Sequence, residues 1–266
     1  MINKTKIEWC THTWNPVTGC KHGCPYCYAR SIANHFGTSA ERFNLQEYID
    51  DGTLVVLGNG ADALFELNAP FTDFTGNAYP FRFKPTFRRY LLGELAKGRT
   101  PKDIFVCSMA DLFGDWVPLR WIRDVLDACA AAPWNRYLFL TKNPKKYDQL
   151  NQLALLPQDD NFWYGATVTT TADFDRIPIQ AAGYKQFLSI EPLLARVDMR
   201  RAAHTLPKWL IVGAETGNYR PANKVTPERE WVDEITEYAR RRNLPVFYKD
   251  SLRKLFPDLP PSEFPW

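Results

Sequence analysis

No run of about 18 consecutive apolar residues occurs in the sequence, so nothing in it reads as a helix able to cross a bilayer. The opening residues, M-I-N-K-T-K-I-E-W-C, also lack the apolar centre of a secretory signal peptide. A cytoplasmic, reducing location is the expectation, with no membrane partner. Neither sign of charge is in excess, since 33 basic and 30 acidic side chains leave a formal charge of +3. A global basic field is therefore absent, and any nucleic-acid contact has to be a local patch. No linker divides the chain, and the 266 residues fit one domain, 1–266. Hydrophobic residues make up 45% and aromatic ones 14%, which excludes a disordered or collagen-like chain.

Cysteine is scarce as well, but its placement is uneven. The six lie at Cys10, Cys20, Cys24, Cys27, Cys107 and Cys129, and three of them fall within eight residues. In a reducing compartment such a cluster binds metal or does redox chemistry more often than it forms disulfides. Its segment, G-C-K-H-G-C-P-Y-C-Y over residues 19–28, has the spacing C-x3-C-x2-C. Three thiolates so close can wrap one face of a small inorganic centre if Gly23 and Pro25 hold an irregular loop. A structural zinc ion needs a fourth protein ligand, for which Cys10, His12 and His22 are candidates. A four-iron cubane needs none, and its open iron is free to bind a substrate or cofactor. Cys107, in an apolar strand, and Cys129, on an apolar helix face, are expected in the core.

From residue 100 onward, short apolar runs alternate with segments of helical spacing. Strands are expected at 104–108, 137–141, 162–168, 186–190, 209–213 and 246–249, nearly continuously apolar as parallel strands covered on both faces would be. Helices are expected over 119–132, with Trp121, Ile122, Val125, Leu126 and Cys129 on one face, and around Trp231, Ile235 and Tyr238. Earlier, a first strand is expected near 13–18, leading into the cysteine loop, and a helix over 28–36. Residues 37–85 read as an insertion with a hairpin, ending in a strand at 79–83.

The later apolar strands end in residues that a core would not choose: Ser108 and Asp111; Thr141, Lys142 and Asn143; Thr167 and Thr169; Glu191; Glu215 and Thr216; Lys249 and Asp250. Ligands of α/β sheets and barrels bind at the carboxyl ends of strands, and the cysteine loop follows the first strand at that same end. Glu191 and Glu215 stand out, because a carboxylate after a strongly apolar strand needs a cationic partner such as Lys142, Lys249 or a ligand's ammonium group. The turn G-A-E-T-G lacks the lysine of a phosphate loop and the third glycine of a dinucleotide loop. Basic runs occur at 142–146, 200–201 and 240–242, the last favoured by the dipole at a helix C-terminus. Nine Trp, 12 Tyr and 17 Phe in an α/β core are accounted for by packing before base stacking is invoked.

With Tyr26 directly before the third cysteine, the loop resembles the cluster motif of the radical S-adenosylmethionine superfamily. The segments K-I-E-W-C-T-H-T-W-N-P-V-T-G-C, V-C-S-M-A-D-L-F, L-F-L-T-K-N-P, S-I-E-P-L-L and I-V-G-A-E-T-G-N-Y-R-P extend the likeness over almost the whole chain. Together they resemble the phage-encoded three-cysteine-motif family, a domain of unknown function similar to that superfamily. The resemblance implies an α/β fold, a partial (β/α) barrel of about six βα units with an N-terminal insertion. It also implies a 4Fe-4S cluster on Cys20, Cys24 and Cys27 whose unique iron chelates S-adenosylmethionine. One-electron reduction from an external donor cleaves the sulfonium, and the resulting 5′-deoxyadenosyl radical abstracts hydrogen from a substrate.

On that resemblance Tyr26 contacts the adenine side, while Ser108, Asp111, Thr167 and Glu215 are further cofactor contacts. Glu191, Glu215, Lys142 and Lys249 are the candidate catalytic residues. The chain is then a radical enzyme whose leading candidate substrate is a nucleobase or nucleic acid, and a partner protein stays open. Two positions depart from the family pattern, Cys10 at a usually non-cysteine site and Ala214 in place of a glycine. The competing classes are a zinc- or nucleic-acid-binding protein without activity, and a cluster protein that only transfers electrons.

Overall fold

The computed structural model describes residues 2–38, 44–71, 79–178, 184–216 and 224–266. It is a mixed α/β fold built on two sheets. The larger contains β1 (Ile2–Lys4), β2 (His12–Trp14), β7 (Asp103–Val106), β8 (Arg136–Thr141), β9 (Phe162–Thr167), β10 (Lys185–Ile190), β11 (Trp209–Val212) and β12 (Val246–Tyr248), hydrogen-bonded in that order. β1 pairs antiparallel with β2, and every later pair is parallel. The smaller sheet runs β3 (Val17–Thr18), β6 (Thr86–Arg88), β5 (Leu64–Leu67) and β4 (Leu54–Leu57), with β4 and β5 forming an antiparallel hairpin.

Alternation along the parallel strands sorts their side chains onto two faces. Phe105, Leu138, Trp163, Phe187, Trp209, Ile211 and Phe247 join Trp9 and Cys10 in one buried cluster. Their neighbours in sequence, such as Val106, Tyr137, Tyr164, Leu188, Val212 and Tyr248, pack on the opposite face in two other clusters. The Trp9 ring lies 4.6 Å from Phe105 on β7 and 6.4 Å from Trp209 on β11. Four strand spacings separate those strands, about 19 Å in a flat sheet whose side chains stand off perpendicular. One indole meets both rings because the sheet curls around it. The sheet is curled but open: among the described residues its order ends at β1 and β12.

Helices α1 (Tyr28–Phe36), α3 (Leu119–Ala130) and α5 (Arg229–Arg241) lie where the periodicity places them, joined by α2 (Leu45–Asp50), α4 (Lys145–Gln152) and α6 (Asp250–Arg253). The six strands expected after residue 100 all form, within a residue or two at their ends. Three expectations need correction. The first strand breaks at Asn15-Pro16 into β2 and β3, which belong to different sheets, since proline cannot donate to a ladder. No strand forms at 79–83, which is a turn, and the strand lies at β6 instead. The segments after β9 and β10 carry 3-10 turns, Thr171–Arg176 and Met199–His204, in place of α-helices. Thr170 and Asp173 cap the first of these reciprocally, and Pro178 lies just past its end. Of the expected insertion 37–85, residues 39–43 and 72–78 lie outside the described residues. No helix among the described residues is long and apolar enough to cross a membrane.

Candidate active site

The cysteine loop is held by glycine and by strand ends. Gly19 adopts φ +84°, a conformation that disfavours side chains, and a Cβ there would lie 2.3 Å from the Lys84 carbonyl oxygen. Its N–H donates to the Met109 carbonyl at 2.9 Å, which fastens the start of the loop beside the end of β7. The loop ends at α1, whose N-cap is Cys27 itself, its Sγ accepting from the Arg30 N–H at 3.4 Å. The Arg30 guanidinium donates to the Cys20 carbonyl at 3.3 Å and stacks over Phe83.

Between those ends, His22 Nε2 lies 2.6 Å from Asp111 Oδ2. Asp111 is buried, and its carboxylate also accepts from Thr141 Oγ1 at 2.7 Å, the Lys142 N–H at 2.9 Å and the Phe113 N–H at 3.0 Å. Burial alone would raise its pKa, but the His22 contact and the Lys142 and Thr141 hydrogen bonds outweigh it and hold the carboxyl below its ordinary 3.8. One carboxylate thus ties the cysteine loop to the ends of β7 and β8.

Cys20, Cys24 and Cys27 line one side of a cavity with about 1080 Å³ of empty space, counting its open mouth. Ser108, Asp111, Thr141, Lys142, Thr167, Glu191, Glu215, Thr216 and Lys249 line the rest with Tyr26, Tyr28, Phe83 and Phe105. The residues that the resemblance assigns to the cluster, to the cofactor and to catalysis therefore all line this one cavity. Asn143, Thr169 and Asp250 are not in this lining. Asn143 ties the turn to Phe113 and Asp115, Thr169 donates to Asp173, and the Asp250 N–H donates to Glu8.

Glu191 and Lys249 form an ion pair at the ends of β10 and β12. A Cβ on Gly213 would sit 3.0 Å from Lys249 Cδ and 3.1 Å from Glu191 Cγ and Cδ, so the glycine makes room for the pair. Glu215 is buried, and its Oε2 accepts from the Val225 N–H at 3.3 Å. Lys142 places its ammonium 5.7 Å from the centre of the Tyr26 ring. Thr167 and Ser189 are register partners on β9 and β10 and both line the cavity.

Burial pushes the Cys20 thiol from 9.0 up to about 12, with Asp111, Cys24 and Cys27 adding to the effect against a backbone hydrogen bond from His22. Such a thiol stays protonated until a metal takes the proton's place. A zinc ion about 2.3 Å from each sulfur would bring the sulfurs within roughly 3.8 Å of one another. Among the described residues no three Cys, His, Asp or Glu side chains converge on a single ion in that way. Cys10 is elsewhere: its thiol points to the Ile7 carbonyl at 3.9 Å within the aromatic cluster, and it does not line the cavity. Cys107 and Cys129 are in the core, as expected.

Two contributors carry weak sequence signals. Asn15 Oδ1 accepts from Ser108 Oγ at 3.1 Å and from the Met109 N–H at 3.0 Å, so the break between β2 and β3 shapes the end of β7. Tyr28, just after the third cysteine, donates to the Ser108 carbonyl at 2.8 Å. Trp14 is a buttress, fully buried and donating to the Leu91 carbonyl.

The model of a family described as "Protein of unknown function (DUF5131)" matches residues 4–253. No curated protein is matched with significance. Solved structures of spore photoproduct lyase align with 97% of this chain and 77% of that chain. A mutant with bound AdoMet and dinucleoside spore photoproduct gives TM-score 0.48 at 10% identity. A second mutant, with dinucleoside spore photoproduct, gives 0.49 at 10% identity over the same shares.

Proposed function

The chain belongs to the DUF5131 family of proteins of unknown function, and we propose that it is a radical S-adenosylmethionine enzyme acting on a nucleobase or nucleic acid. On this reading the curled sheet is a partial (β/α) barrel of the radical S-adenosylmethionine type, with residues 37–85 as its insertion. The observation that carries the proposal is the convergence of Cys20, Cys24 and Cys27 with the polar ends of the parallel strands on one cavity.

The donor set suits a 4Fe-4S cluster: three soft thiols, with the neighbouring His22 already engaged by Asp111. When bound, that cluster and S-adenosylmethionine supply reductive cleavage of the sulfonium and a carbon radical able to abstract hydrogen. The chain's own residues set the stage. Asp111 orients the loop through His22, and the Cys27 sulfur is aligned by the Arg30 N–H. Tyr26 offers a ring face to the adenine, with Ser108 and Thr167 as polar contacts beside it. Glu215 and the Glu191–Lys249 pair offer carboxylates to an ammonium group and a cation to an anionic substrate. Beneath them the aromatic cluster around Trp9 fills the concave face and keeps water from entering that way. The rings of Tyr26, Tyr28 and Phe83 give a planar base faces to stack on.

Anaerobic reconstitution with iron and sulfide tests the centre. A brown protein absorbing near ~400 nm is expected, as thiolate-bound clusters do. A colourless protein holding stoichiometric zinc would overturn the reading.

A further inference from the structure

Helix α1 is turned the wrong way round for a helix that only packs. An amphipathic helix sets its large apolar residues toward the core, yet the residues that α1 buries are Ala29 and Ala33, in one cluster with Phe83 and Met109. Tyr28, Ile32 and Phe36 stand outside, 42%, 37% and 64% exposed. Their spacing of four residues places them in one row along the helix, about 12 Å long at ~1.5 Å per residue. The row starts at the main cavity, because Tyr28 is part of its lining. It leads to Phe36, whose ring meets His35 edge-on at 4.6 Å.

We infer that this row holds the single-stranded segment flanking a base seated in the cavity, so that the substrate is a polynucleotide and not a free base or nucleoside. The inference rests on the nucleic-acid reading above. Apolar and aromatic side chains in a row give successive bases a surface to stack on. A length of about 12 Å has room for roughly three nucleotides at ~3.4 Å each.

Charge supports this occupant. Residues 9–38, which carry the cysteine loop and α1, contain no Asp or Glu, and neither do residues 79–93. The second stretch reaches the end of α1, where a Cβ on Gly37 would lie 3.0 Å from Arg82 Cα. Arg82 and, two residues on, Lys84 are exposed and have no ion-pair partner among the described residues. Two acids reach the loop from elsewhere and both are engaged, Asp62 by Lys21 and Asp111 by His22. Here is a local basic patch of the kind that a net charge of +3 conceals. A second copy of the chain would suit the row less well. A two-fold contact sets each patch against its own image, cation to cation.

Fluorescence anisotropy with a short labelled single-stranded oligonucleotide measures binding and needs no metal centre. The double variant Ile32→Ala, Phe36→Ala changes only exposed side chains and is expected to melt with the wild type. It should bind the oligonucleotide at least ~10-fold more weakly, a factor that the loss of one stacked base accounts for. Arg82→Glu, Lys84→Glu should weaken binding and reduce the slope of log affinity against log salt by about 1.4, the loss of two phosphate contacts on a single strand. Wild-type affinity in the Ile32, Phe36 variant, or no binding by the wild type, would overturn the inference. A change from dimer to monomer in that variant, with its affinity intact, would assign the row to a second copy instead. Release of 5′-deoxyadenosine stimulated as strongly by free nucleosides as by the oligonucleotide would also overturn it, and would leave the nucleobase reading standing. No release from reconstituted wild type under any condition defeats the radical reading, while the anisotropy titration still reads docking separately.

Discussion

His22, midway between Cys20 and Cys24, is bound to Asp111 at 2.6 Å, and Asp111 holds the first residue after β8 through the Lys142 N–H. The loop is therefore fixed at its middle as well as at its ends. A buried carboxylate with four donors has no capacity left for a ligand, which makes Asp111 a positioning residue.

Replacing Asp111 by Asn should therefore cost stability as well as loop order. Breaking a buried, charge-assisted set of this kind costs roughly 3 kcal/mol, or about 6–12 °C in Tm at this size. Because the folded carboxyl titrates below its ordinary 3.8, its contribution is present above that pH and is lost as pH falls further. Thermal melts between pH 6 and pH 3 should show a shallower acid slope in Asp111→Asn than in the wild type. Equal slopes would contradict this role.

The cysteines should separate cleanly. Cys24→Ala is expected to abolish the iron-sulfur chromophore, whereas Cys10→Ala should retain it, since Cys10 faces Ile7 and the aromatic cluster. Iron content and absorption after identical reconstitution decide the matter. Loss of iron in the Cys10 variant would make that residue a ligand.

Unliganded protein should weaken in alkali. Burial raises the thiols of Cys10, Cys20 and Cys107 from 9.0 to about 12. The unfolded chain releases these protons above about pH 9 while the folded chain keeps them, so this stability is full below pH 9 and is lost as pH rises toward 12. Urea midpoints at pH 8, 9 and 10 measure the fall, and Cys107→Val should reduce it.

Gly213→Ala tests the ion pair. Its Cβ would press on both Lys249 and Glu191, at 3.0 and 3.1 Å, and so displace them with little other disturbance. A stability loss of about 1–3 kcal/mol is expected from the overpacking. Binding of S-adenosylmethionine or substrate should fall at least ~10-fold, the equivalent of about 1.4 kcal/mol. Unchanged affinities measured by calorimetry would remove Glu191 and Lys249 from the site.

The parallel strands are legible because period and burial agree there: β8 to β12 are nearly continuously apolar, and most of the polar residues at their ends line the cavity. Those polar strand ends point to one site without any contact being specified. What the pattern could not convey is which of them bind outward. Asp111 reads as an available carboxylate, but His22, 89 residues away, uses it, as do Thr141 and two backbone N–H groups. Nor does local spacing reveal that Asn15-Pro16 splits one strand between two sheets, or that short capped turns replace two helices. Those outcomes depend on partners distant in sequence.

Incubating anaerobically reconstituted protein with S-adenosylmethionine and dithionite, and measuring released 5′-deoxyadenosine by mass spectrometry, tests the central claim most directly. The wild type is expected to release 5′-deoxyadenosine, more of it when a nucleic-acid substrate is present, and Cys24→Ala to release none. Reconstituted wild-type protein that carries the cluster yet releases neither 5′-deoxyadenosine nor methionine would contradict it.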